Sequence, residues 1–90
     1  MEFKYIMFDK IKYVLFPPSI EHVQMRDALR KELGACNVTS AAFVQFTTRP
    51  DGELIVDCFG HSNSLGIGFG ERDAKIIHNM AVNTVGFGAR

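Results

Sequence analysis

Residues 41–59 read AAFVQFTTRPDGELIVDCF, two runs of alternating character on either side of Arg49, Pro50, Asp51 and Gly52. A period of two sends successive side chains to opposite faces of a strand, so the runs 41–48 and 53–59 predict an antiparallel hairpin. Pro50 presets φ at the first corner and Gly52 supplies a left-handed residue, the chemistry of a type I turn followed by a bulge. Ala42, Val44 and Phe46 then share a face with Leu54, Val56 and Cys58. The opposite face carries Phe43, Gln45, Thr47, Ile55, Asp57 and Phe59, a mixture that asks for partial cover.

On the N-terminal side, residues 2–16 (EFKYIMFDKIKYVLF) are rich in the aromatic and β-branched residues that suit a pleated surface. They predict strands at 3–8 and 11–16 joined through Asp9 and Lys10. Pro17 and Pro18 end the sheet because neither can donate to a ladder. Ser19 then stands as N-cap of a helix over 20–33. Ile20, Met25, Ala28, Leu29 and Leu33 form its apolar side, Arg26, Arg30, Lys31 and Glu32 its solvated side, and Gly34 its stop.

On the C-terminal side comes GHSNSLGIGFG, residues 60–70, followed by a second helix over 71–83. Glu71 and Asp73 sit in its first turn, where the macrodipole favours acids. Its apolar stripe is Ile76, Ile77, Met80, Ala81 and Thr84, and residues 85–90 read as a short, loosely held tail. The expected fold is α+β: a single small domain over residues 1–90, with a mostly antiparallel four-stranded sheet, two helices on one face, and the order ββαββα.

Ten basic and ten acidic residues cancel, and no basic run exists, so the chain lacks the electrostatic footprint of a duplex nucleic-acid binder. No apolar segment approaches bilayer length. Cys36 and Cys58, with no secretory segment ahead of them, read as reduced, buried thiols of a cytosolic protein. A hydrophobic content of 47% with eight Phe and no Trp implies either a dense core or a face covered by a partner.

Residues 60–70 concentrate glycines, Ser62, Asn63 and Ser64 ahead of a helix, with Arg72 close behind. Glycine lets backbone N–H groups approach an anion, and helix N-termini favour negative charge. The fingerprints of nucleotide enzymes are missing: there is no Walker lysine, and Gly66, Gly68 and Gly70 depart from dinucleotide-binding spacing. Cys58 and His61 with His78 provide thiolate and imidazole but no fourth zinc ligand, so no metal or other cofactor is expected. A Cys or Ser nucleophile with His61 or His78 as base and Asp57 or Asp73 as orienter lacks any accompanying elbow. His22, one turn into the first helix, reads as a partly exposed histidine. No catalysis is expected.

The succession LFPPSIEHVQM, TSAAFVQF and CFGHSNSLGIGFGERDAKII resembles a family of short, uncharacterised open reading frames in tailed phages and prophages. The matching positions are Phe16, Pro17 and His22, then Ser40, Ala41 and Phe43, then Gly60, Ser62, Ser64, Leu65, Gly66 and Asp73. Ala42 stands where the family pattern has Gly, and GIGFGE replaces a more polar, Arg-containing link. The resemblance implies an anti-defence sponge that binds cyclic nucleotide or cyclic ADP-ribose signals and leaves them intact. A base would stack on Phe43, Phe59 or Phe69. Gly60, His61, Ser62, Asn63, Ser64 and Arg72, with His22, complete the contact set for the phosphate-bearing ligand. A protein-binding inhibitor of a host factor, or a small assembly component without ligand, is the alternative.

A chain this short has a thin core, and self-association is the remaining way to bury more surface. A homo-oligomer is therefore expected. Light scattering after size exclusion should return at least a dimer of the 10.1 kDa chain, and a monodisperse monomer at micromolar concentration would contradict it.

Overall fold

The computed structural model describes residues 1–9, 12–34 and 37–88, with side chains through residue 81. Strands β1 (Glu2–Phe8), β2 (Lys12–Phe16), β3 (Val38–Thr48) and β4 (Leu54–Phe59) form one antiparallel sheet in the order β2-β1-β3-β4. Helix α1 (His22–Leu33) connects β2 to β3. The 60–70 stretch contains a second, two-stranded ribbon, β5 (His61–Ser62) against β6 (Ile67–Gly68), and helix α2 (Asp73–Gly88) ends the described chain. The class is the expected α+β, but the ribbon makes the order ββαββββα. Among the described residues no helix is long and apolar enough to cross a membrane.

The central hairpin has the expected register, with Val44 opposite Cys58 and Phe46 opposite Val56. Its turn closes through Gly52 N–H to the Arg49 carbonyl and Arg49 N–H to the Glu53 carbonyl, both 2.8 Å. Gly52 takes φ 91°, as the bulge requires. In the first hairpin Asp9 adopts φ 54° and donates its N–H to the Asn37 carbonyl; Lys10, Ile11 and Cys36 lie outside the described residues. Between β1 and β3 the register shifts: Met7 faces Ser40 while Phe8 faces Val38, leaving Thr39 as an extra residue. That bulge reverses the alternation, so Val38 joins Ala41 on one face while Ser40 joins Ala42 on the other.

The two helices cover opposite faces of the sheet, which corrects the expectation of one covered face. Tyr5 and Met7 pack with Ala42, Val44, Val56 and Ile77 of α2. Ile6 and Phe8 pack with Phe16 and Ala41, against which Ile20, Met25 and Leu29 lie on the α1 side. Residues 4–8 of β1 are buried without alternation, the mark of a central strand covered on both faces. Period-two reading of a continuous YIMF run cannot distinguish that case from a half-exposed strand.

The start of α1 and the bounds of α2 differ from those expected. The Ile20 N–H closes a turn on the Pro17 carbonyl, so Ser19 is not the cap. Glu21 occupies that position, with its N–H held by Gln24 Oε1 at 2.9 Å. Gly34 stops α1 as expected, at φ 81° with its N–H on the Arg30 carbonyl. Residues 85–88 continue α2 and are not a loose tail, and the Thr84 side chain lies outside the described set.

Ile77 is fully buried between α2 and the sheet whereas Met80 is 48% exposed. Ile77→Ala should lower unfolding stability by about 2–5 kcal/mol. Met80→Ala should change it by less than about 0.5 kcal/mol. Denaturant midpoints at constant slope measure both.

Candidate functional site

One row of paired residues crosses the α1 face of the sheet: Lys4 stands opposite Phe43, and Phe43 opposite Phe59. The Phe43 and Phe59 rings stack at 5.7 Å between centroids and 19° between planes, and Phe59 keeps 37% of its surface exposed. Gly60 turns the chain directly above Phe43. It combines φ 75° with a position where a Cβ would come within 3.1 Å of the Phe43 ring, so both conformation and space call for glycine. His61 and Asn63 follow on the ribbon, Glu21 and His22 arrive from the start of α1, and together these groups line a cleft of about 370 Å³.

Lys4 lies at the bottom of that cleft, 9% exposed. Its Nζ donates to the Ile20 carbonyl at 2.9 Å and lies 5.9 Å from the Phe43 ring centre. An ammonium carries three protons, so the Ile20 bond uses one of them. Among the described residues no carboxylate is within ion-pair distance of it. Sequence reading passed over Lys4 as one polar residue of a strand. The available signal was a lysine on the same face as Ile6 and Phe8, where alternation allots an apolar side chain.

His22 is buried at 2% exposure, which corrects its reading as a partly exposed histidine. It stands edge-on between Phe16 and Phe43, with Nε2–H donating to the Ala42 carbonyl at 2.9 Å. Burial, then the Lys4 charge, lowers its pKa, against the opposing pull of the Ala42 bond. It is a neutral wall of the cleft.

Ser62 and Ser64 do structural work. Ser62 is buried, its Oγ accepts the Leu65 N–H at 3.1 Å, and it lies 3.4 Å from Ser64 Oγ. Ser64 Oγ accepts the Val23 N–H, also at 3.1 Å. Val23 is in the first turn of α1, whose amides have no partner within the helix. A serine 41 residues away in sequence thus serves as a tertiary cap, fastening the ribbon over the α1 face. Neither serine lines the cleft.

Arg72 is not part of this site. It stands exposed before α2, at a different cavity that involves Thr39, Ser40, Gly70 and Asp73. Phe69, 52% exposed, is likewise absent from the cleft lining. Near Arg72 the sequence reading also missed a buried network centred on Asp73. Its Oδ2 accepts Tyr5 Oη–H at 2.5 Å, Ser40 Oγ–H at 2.6 Å and the Gly70 N–H at 2.7 Å. Burial first, then the Asp73 hydrogen bond, raises the Tyr5 phenol well above its ordinary value. Burial pushes the neighbouring Cys58 thiol up to about 11, which leaves it protonated and unreactive at neutral pH.

Cys58 faces the α2 core, His78 reaches the Leu54 carbonyl at 3.1 Å, and His61 lies in the cleft on the other face of the sheet. Three residues that look adjacent on paper are therefore held apart. Among the described residues no three metal-ligating side chains come together. Compared with protein-family models, curated proteins and solved structures, the chain gives no significant match.

Removing the Ser64 hydroxyl should uncap α1 and free the ribbon. Ser64→Ala is expected to lower stability by about 1 kcal/mol, the usual cost of a lost N-cap. Thermal melting of the unliganded variant checks this, and an unchanged melt would remove the serine from its capping role.

Proposed function

We propose that the protein is a non-catalytic binding protein that sequesters a small phosphate-bearing ligand of the cyclic nucleotide or cyclic ADP-ribose type, and does so as a homo-oligomer. The observation that carries this reading is Lys4: a buried ammonium with no counter-ion among the described residues, at the bottom of an aromatic-walled cleft. A buried charge without a partner is costly, and an anion entering the cleft offsets that cost. Lysine acts on phosphate as a point charge. The outward face of Phe59 offers a surface on which a base can stack. Asn63 and His61 add polar contacts at the rim.

Glu21, which lines the same cleft, opposes a highly charged anion and so favours phosphates that carry one charge each, as phosphodiesters and a bridging pyrophosphate do, over a terminal polyphosphate. The cleft's volume of about 370 Å³ falls near the lower end for small-molecule sites. A ligand larger than one nucleotide unit would extend beyond it, where a second copy of the chain could cover the exposed remainder. The resemblance to short phage reading frames gives the biological setting, removal of an immune signal from the host cytosol.

The test is a panel of cyclic di- and trinucleotides and cyclic ADP-ribose isomers, with nucleosides and inorganic phosphate as controls, read by melting temperature and by chromatography of the ligand released on heating. A ligand at 100 times its Kd should stabilise the fold by about 2.7 kcal/mol and be recovered intact. Lys4→Met keeps the apolar stem and removes the charge. It should weaken binding by roughly tenfold or more, while the unliganded melt stays level or rises because a buried charge is gone. Binding undiminished by Lys4→Met, or no shift with any member of the panel, defeats the proposal.

A further inference from the structure

The α2 face of the sheet holds a second cavity, of about 450 Å³, between β3 and the first turn of α2. Asp73, 5% exposed, forms part of its wall together with Ser40, 4% exposed. The three donors to Asp73 all converge on Oδ2. Among the described residues Oδ1 accepts no hydrogen bond, yet no fully buried side-chain oxygen in that set lacks a partner. Oδ1 therefore reaches the cavity surface.

Gly70 keeps the approach open, since a Cβ there would stand 2.9 Å from Oδ1. Asp73 also has no cation within ion-pair distance among the described residues. A nine-tenths buried carboxylate with one oxygen saturated and the other turned to a cavity is a preformed acceptor for a positively charged donor. Ser40 Oγ spends its proton on Asp73, so its own lone pairs remain available to the same guest.

We propose that this cavity binds the primary ammonium group of a small amine, with Asp73 Oδ1 as its charged acceptor and Ser40 Oγ as a second. Two kinds of molecule present that group, and the rim distinguishes them. An α-amino acid would place its carboxylate on Arg72, whereas a linear diamine would place its second ammonium on Glu71. The site lies on the opposite side of the sheet from the Lys4 cleft and stands or falls separately from it.

Ethylammonium, L-alanine and 1,4-diaminobutane titrated into ¹⁵N-labelled protein, with sodium chloride at matched ionic strength as control, decide the matter. Saturable movement of the Gly70, Arg72 and Asp73 amide resonances with the amines, and none with the salt, supports the site. Arg72→Ala should weaken alanine alone, and Glu71→Gln the diamine alone, by roughly tenfold. Asp73→Asn should abolish binding of all three; if that variant does not fold, the wild-type titration decides by itself. Amides that stay still up to about 20 mM amine, well above the millimolar Kd expected for one charged contact, overturn the proposal. So does movement that sodium chloride reproduces, or undiminished binding by a folded Asp73→Asn.

Discussion

Asp73 Oδ2 receives hydrogen bonds from Tyr5 on β1, Ser40 on β3 and the Gly70 amide ahead of α2, and the placement of the second helix depends on that meeting. Hydrophobic burial alone is non-directional, so an apolar helix face could settle on the sheet in several registers. The two bonds that reach this carboxylate from the sheet, each worth about 1.5–3 kcal/mol net, select a single one. The bulge at Thr39 comes just before this contact: Ser40 keeps the face of Ala42, while Val38 is turned to the α1 side. Ile77 then enters the core beside Tyr5 and Met7.

The other face is organised by a different polar contact. Ser64 Oγ on the Val23 amide joins the ribbon to the start of α1, and this junction brings His22, Glu21, His61 and Asn63 around Lys4 and Phe43. Consecutive residues of β1 thus serve opposite faces: Lys4 lies under the α1 cleft, and Tyr5 supports the carboxylate under α2. A domain of this size has little surplus stability, so two buried ionisable groups with no ion-pair partner among the described residues are a standing cost. Under the proposed function the anion offsets the first of them.

The 60–70 stretch stood out in the sequence as a single polar cluster, and the fold divides it. Gly60, His61 and Asn63 line the cleft, the buried Ser62 and the exposed Ser64 cap backbone amides, and Arg72, just beyond the stretch, lies at another cavity altogether. Composition locates such a cluster because glycine and small polar residues interrupt an apolar pattern. It cannot assign roles within the cluster, since a hydroxyl that caps a helix and one that meets a ligand are the same residue type in the same kind of loop.

The amino-acid sequence by itself determined the four strands of the main sheet, the central hairpin with its register and turn, the stop of α1 at Gly34 and the α+β class. These follow from local rules, alternation and turn chemistry, that act over a few residues. Only the tertiary structure decided that the helices take opposite faces, that His22 is buried, that Lys4 underlies the aromatic pair and that Asp73 gathers β1, β3 and α2. Each of those depends on contacts 16 to 68 residues apart in the chain. At such separations burial on both faces of β1, and the need to satisfy every polar group taken inside, settle what local periodicity leaves open.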